Sequence, residues 1–178
     1  MGKRSDFGRI PQDKYPTPPE GVAPLLPHLP AGSSFIEPCA GDGRLINYLV
    51  AAGHKCKGAF DIAPQRRDIK QADALNKKFP QADFIITNPP WKRDKESDYL
   101  LHKLILHFSD QAPTWLLFDS DWHDTVQSRQ LMKRCHMIVA VGRLKWFPES
   151  DNTGKENCSW YLFSSGIRQL PGPIFISR

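Results

Sequence analysis

The run Ser33-Ser-Phe-Ile-Glu37, the turn Pro38-Cys-Ala-Gly-Asp-Gly43 and the stretch Arg44 to Ala52 decide how this chain folds. The first is a short apolar run that ends in an acid. The second holds two glycines, which turn sharply and let a backbone come close to a ligand. The third sets Leu45, Ile46, Leu49 and Ala52 on one helical stripe, closed by Gly53. Strand, glycine turn and helix open an α/β unit. In open α/β sheets ligands bind beyond the carboxyl ends of the strands, where strand order reverses.

Working outward, the same alternation continues. Lys57-Gly-Ala-Phe-Asp-Ile62 reads as a second strand, Ile69–Ala72 as a third and Asp83-Phe-Ile-Ile-Thr87 as a fourth. Ser97 to Phe108 places Leu100, Leu101, Leu104, Ile105 and Phe108 on one helix face. Trp115–Phe118 reads as a fifth strand, Asp121–Arg134 as a helix, Met137–Val141 as a sixth strand and Ser159–Phe163 as a seventh. Apolar strands between amphipathic helices imply an α/β fold with a buried, mostly parallel sheet. No helical pattern separates the last two strands. Their polar connection, Pro148 to Asn157, predicts a long antiparallel hairpin at one edge.

The length of 178 residues suits one domain. Residues 1–32 read as a proline-rich N-terminal arm with one short helix near Val22–Leu26, and 33–178 as a single domain. The 40% apolar and 24% charged fractions exclude a collagen, a coiled coil and a wholly disordered chain. No stretch approaches the roughly 20 apolar residues of a membrane span, and no apolar run follows the basic N-terminus, so neither a membrane partner nor a secretory signal is expected. The four cysteines form no CxxC pair, which points to a reducing cytoplasm. The formal charge of +5 favours an anionic partner, nucleic acid first.

Three acids and one tetrapeptide fall at strand ends. Glu37 stands before Gly41 and Gly43. Ile46 occupies the place where a GxGxxG loop needs glycine or alanine. A carboxylate there would repel a pyrophosphate and suit a cationic ligand group; the alternative is a plain strand-to-helix turn. Asp61 either accepts the two hydroxyls of a ribose or caps a helix. Asp73 either accepts from an adenine amino group or is a surface acid.

The tetrapeptide Asn88-Pro89-Pro90-Trp91 follows the fourth strand directly. Prolines lack an N–H, so their carbonyls are free and rigidly aimed. The Asn88 side-chain oxygen and the Pro89 carbonyl can accept both protons of one planar amino group, and Trp91 can stack on the base or amide that bears it. Those are the needs of N-methylation, in which an amine with a delocalised lone pair must be positioned and made electron-rich.

Together these residues resemble the class I S-adenosylmethionine-dependent methyltransferases, and within them the amino-methyltransferases of adenine N6. Phe35–Gly43 resembles the family's cofactor loop, Thr87–Trp91 its catalytic motif, and Tyr15-Pro-Thr-Pro18 the segment that helps hold the methionine part of the cofactor. The resemblance covers essentially the whole chain. It implies a Rossmann-like sheet of seven strands with the last antiparallel and helices on both faces. It also implies S-adenosylmethionine as cofactor, S-adenosylhomocysteine as product, and no metal. By that likeness Tyr15, Thr17, Glu37, Pro38, Ala40, Gly41, Gly43, Asp61, Asp73 and Asn88 contact the cofactor. Asn88, Pro89, Pro90 and Trp91 hold the target amine, while Cys39 merely packs.

The implied activity is N6 methylation of adenine in DNA, with RNA or a protein glutamine amide as alternatives and a non-catalytic partner subunit as a remote one. The expected setting is the cytoplasm of a bacterial or phage-infected cell. No separate target-recognition domain is apparent, so specificity would be loose or would come from short loops or an accessory subunit. Lys92, Arg93 and Lys95 either meet phosphates beside an extruded nucleotide or form a solvated face. Arg143, Lys145 and Trp146 are placed for backbone contact and base stacking, or Trp146 simply packs on the sheet. Arg66, Arg67, Lys77, Lys78, Arg129, Lys133 and Arg134 read as solvated surface. A metal site at Asp119, Asp121, His123 and Asp124 is not expected.

Overall fold

The computed structural model describes residues 15–91, 100–147, 153–166 and 173–176. A single mixed sheet runs β3-β2-β1-β4-β5-β7-β6-β8. Its strands are β1 (Ser34–Glu37), β2 (Lys55–Asp61), β3 (Lys70–Gln71), β4 (Phe84–Thr87), β5 (Thr114–Asp119), β6 (Cys135–Arg143), β7 (Asn157–Phe163) and β8 (Ile174–Ile176). Among the described residues three α-helices accompany it: α1 (Pro19–Val22), α2 (Arg44–Ala51) and α3 (Leu100–Ser109). The order reverses between β1 and β4, so Glu37 and Asn88 end and follow adjacent parallel strands.

Period-two alternation divides the strands between two cores. Phe35, Ile86, Trp115, Leu117, Val139 and Trp160 face one side, with Leu45, Ile46 and Leu49 of α2 and with Val22, Leu25 and Leu29 of the N-terminal segment. Ile36, Ile85, Leu116, Phe118, Ile138 and Tyr161 face the other, with Leu104, Ile105 and Phe108 of α3. Helices therefore cover both faces, as expected. The proline-rich segment is more than a wrapping. Leu25 is wholly buried, and Trp160 donates its indole N–H to the Gly21 carbonyl at 2.7 Å.

Three expectations are corrected. The sheet has eight strands, because Ile174-Phe-Ile176 pairs with Met137–Val139. The expected seventh strand, β7, is antiparallel to both its neighbours, as the resemblance implies, and the added β8 lies parallel to β6. The β6–β7 hairpin is interior, since β7 inserts between β5 and β6 and β8 covers the outer side of β6. Finally, Asp121–Arg134 is not an α-helix. It forms three short 3₁₀ turns, Ser120–Asp124, Val126–Ser128 and Leu131–Arg134. Hydroxyls compete with the helical ladder there. Thr125 Oγ1 donates to Trp122 O, and Ser128 Oγ to both His123 O and Thr125 O, each at 2.8 Å.

Candidate active site

A cleft open to solvent lies beyond the carboxyl ends of β1, β2 and β4. The glycine turn forms its floor. Gly41 and Gly43 hold φ of 52° and 77°, the left-handed region that glycine enters without strain. Asp61, at the end of β2, ties this turn to the next loop. One carboxylate oxygen accepts from the Gly41 N–H and the other from the Ala63 N–H, both at 2.8 Å. Asp61 is buried, and it lines the cleft.

Glu37 is buried at the tip of β1. Burial, then the charges of Asp42 and Asp61, push its carboxyl well above the usual range; the Arg66 guanidinium and a backbone hydrogen bond from Ile46 pull the other way. Its Oε2 has no hydrogen-bond partner among the described residues. A buried acceptor left open calls for a donor. Asp73 accepts from Leu75 N at 3.0 Å and from the Asn76 side chain at 2.6 Å, so it caps a short 3₁₀ turn at the cleft's rim. Four carboxylates, Glu37, Asp42, Asp61 and Asp73, line one cleft, and among the described residues no lysine or arginine does.

Asn88 stands at the opposite wall. Its amide nitrogen donates to the Tyr15 carbonyl at 3.0 Å and to Thr17 Oγ1 at 3.3 Å. Its oxygen accepts from the Trp91 indole N–H at 3.1 Å. That N–H is shared with the Leu117 carbonyl, also at 3.1 Å. The carboxamide orientation follows from this network, because a flip would set oxygen against the Tyr15 carbonyl. The Trp91 ring is half-buried and meets Trp146 edge-on, with centroids 5.6 Å apart. Tyr15 in turn meets Trp146 and Phe147 edge-on, at 5.9 Å each.

The structure brings most of the sequence-derived residues together. Tyr15, Thr17, Glu37, Pro38, Ala40, Gly41, Asp61, Asp73, Asn88 and Pro90 all line the cleft. Gly43 caps α2 behind it. Arg143 and Lys145 are exposed at the end of β6 and beyond, outside the lining. Lys92, Arg93 and Lys95 lie outside the described residues. Among the described residues no group of three or more His, Cys, Asp or Glu could hold a metal ion. Asp119 instead caps a 3₁₀ turn through Asp121 N. No described helix is long and apolar enough to cross a membrane. Burial and the neighbouring Asp61 and Glu37 carboxylates push the Cys39 thiol far above its ordinary range, which keeps it protonated and poorly nucleophilic.

Several residues escaped sequence reasoning. Ile62 lines the cleft with 57% of its surface exposed, an apolar face turned to solvent beside Asp61. A large exposed apolar residue one position after the strand-end acid was the available signal. Arg66 is no mere solvated cation. Its Nη1 donates to Asn47 Oδ1 at 2.8 Å and to the Gly43 carbonyl at 3.2 Å, while Nε bonds Asp68 at 2.9 Å. Lys77 similarly lies over the Phe60 ring, 5.2 Å from its centroid. Arg134 donates to Ser109 Oγ and to Asp110, tying down the end of α3.

No protein-family model and no curated protein matches the sequence. Solved structures do. A proposed RNA methyltransferase from Pyrococcus horikoshii is 16% identical, with a TM-score of 0.58 over 93% of this chain and 93% of that one. A proposed class I S-adenosylmethionine-dependent methyltransferase from Listeria monocytogenes is 9% identical, with a TM-score of 0.60 over 97% and 68%. The M protein of the type I restriction enzyme EcoKI is 14% identical, with a TM-score of 0.55 over 93% of this chain and 50% of that one. The chain thus has the fold of class I S-adenosylmethionine-dependent methyltransferases, with a mixed eight-stranded sheet.

Proposed function

We propose that this protein is an S-adenosylmethionine-dependent N-methyltransferase that acts on the exocyclic amine of adenine, N6, in DNA. One observation carries the reading. A carboxamide with its orientation set by three hydrogen bonds, Asn88, shares a cleft with the acidic strand ends Glu37 and Asp61.

The residues fit the cofactor. The open Glu37 Oε2 offers an acceptor for an ammonium group, and four carboxylates favour a cation over a nucleotide pyrophosphate. The exposed Ile62 side chain offers an apolar face to a flat base. Asp61 would hold the ribose, Asp73 the adenine amine, and Glu37 with the turn to Gly43 the methionyl part. When bound, S-adenosylmethionine supplies a methyl group on a positively charged sulfonium.

The chain's own part is to hold and activate the amine. A carbonyl oxygen has two acceptor sites. Trp91 uses one on Asn88 Oδ1, which leaves one for an N–H of the target. The Pro89 carbonyl would take the other N–H, with no competing amide hydrogen on Pro90. Two acceptors on one amine return electron density to its nitrogen, and the fixed carboxamide pays little reorganisation on the way to the transition state. No strong general base is needed before attack. Tyr15 lines the cleft, backed edge-on by Trp146 and through it by Trp91, and an aromatic wall suits a planar base better than a flexible glutamine amide. The net charge of +5 suits a polyanion. Lys92, Arg93, Lys95, Arg143 and Lys145 are the proposed phosphate contacts.

RNA is the second reading, favoured by the likeness to the Pyrococcus protein over nearly the full length of both chains. Tritiated-methyl transfer to DNA, RNA and protein in parallel, followed by nucleoside analysis, tests both. The expected product is N6-methyladenine in the DNA arm, lost in Asn88→Ala. Label confined to protein, or Asn88→Ala at full activity, overturns the assignment.

A further inference from the structure

The glycine turn is held from both sides, and only one side faces the cleft. From within, Asp61 takes the Gly41 N–H. From outside, the loop after β2 folds back over it. Gln65 N donates to the Gly41 carbonyl at 3.1 Å, and Arg66 reaches both the Gly43 carbonyl and Asn47 of α2. The guanidinium lies so close over Gly43 that a Cβ there would collide with it. Asp68 steadies the other edge of the guanidinium. Yet Arg66 itself does not line the cleft.

We propose that Arg66 is a positioning residue for donor binding: from outside the cleft it clamps the backbone of the Gly41–Gly43 turn and joins it to α2. The proposal rests on the reading of the cleft as an S-adenosylmethionine site. The fork spans Gly43 O, Asn47 Oδ1 and Asp68 at once, which a lysine ammonium cannot do. Loss of the fork loosens the turn.

Titration calorimetry of S-adenosylhomocysteine into the full chain, well below the melting temperature of each variant, tests this without any methyl transfer. Arg66→Met is expected to weaken binding roughly tenfold. Arg66→Lys keeps the charge without the fork and is expected to recover only part of that affinity. A role limited to stability would lower the melting temperature of Arg66→Met and leave its affinity unchanged; that result, or full affinity in Arg66→Lys, overturns the proposal. Failure of the unaltered protein to bind S-adenosylhomocysteine overturns the donor reading and this inference together.

Discussion

The indole N–H of Trp91 points inward, onto the side-chain oxygen of Asn88, 3.1 Å away. The tetrapeptide thus orients itself. Its aromatic member holds its carboxamide member, and the same N–H reaches Leu117 on β5. A phenylalanine or tyrosine at position 91 would present a ring with no N–H at that point.

Trp91→Phe therefore separates ring from donor. Loss of one net hydrogen bond predicts a fall in kcat of about threefold to tenfold. Cofactor affinity should hold, because Asn88 keeps its bonds to Tyr15 and Thr17. Steady-state kinetics beside S-adenosylhomocysteine calorimetry reads both, and an unchanged kcat argues against the orienting bond.

Asp61→Ala strips two backbone N–H groups, of Gly41 and Ala63, of their acceptor. Both donors are part-buried, and losing the acceptor costs about 1 kcal/mol each. The expected outcome is a lower denaturant midpoint and roughly hundredfold weaker S-adenosylhomocysteine binding. Wild-type affinity in this variant would remove Asp61 from the site.

Glu37 links stability to pH in the direction opposite to a salt-bridged acid. Its folded-state carboxyl titrates above the ordinary range, chiefly through burial. The native state then holds a proton that the unfolded chain has released, so stability falls as pH rises from the unfolded value to the folded one. Glu37→Gln should melt at the same temperature as the parent near pH 4 and higher at neutral pH, and it should bind the cofactor product more weakly. Thermal melts across that range test the sign, and a neutral-pH melt below the parent's contradicts it.

Gly43→Ala meets two obstacles. Its φ of 77° strains any residue with a Cβ, at about 1–2 kcal/mol, and the Arg66 guanidinium occupies the space. Combining it with Arg66→Ala should cost less than the sum of the two single changes, since the second obstacle is gone. Chemical denaturation of the four proteins gives the coupling. Strict additivity would show that the guanidinium does not lie over Gly43 in solution.

Local pattern carried much of this protein's design. The alternation in Ile85-Ile86 and Trp115–Phe118 sends neighbours to opposite cores, and it is visible without knowing what they pack against. The same holds for the glycine turn and for the two prolines after Asn88, whose conformational limits belong to the residues themselves. Asp121–Arg134 shows where such reading fails. Its spacing allows a helix, but the backbone bonds of Thr125 and Ser128 and the burial of Trp122 and Leu131 select 3₁₀ turns instead.

What remained was decided in three dimensions. Ile174–Ile176 is a strand only because Met137–Val139 lies beside it, and nothing local in a three-residue apolar run distinguishes a strand from a tail. Arg66 sits 23 residues from Gly43, and its spacing carries no period that would announce the bond. The sequence by itself determined which chemistry the strand ends could present. Tertiary structure decided which groups meet, because each such meeting depends on the summed packing of a whole sheet and not on the preference of any one segment.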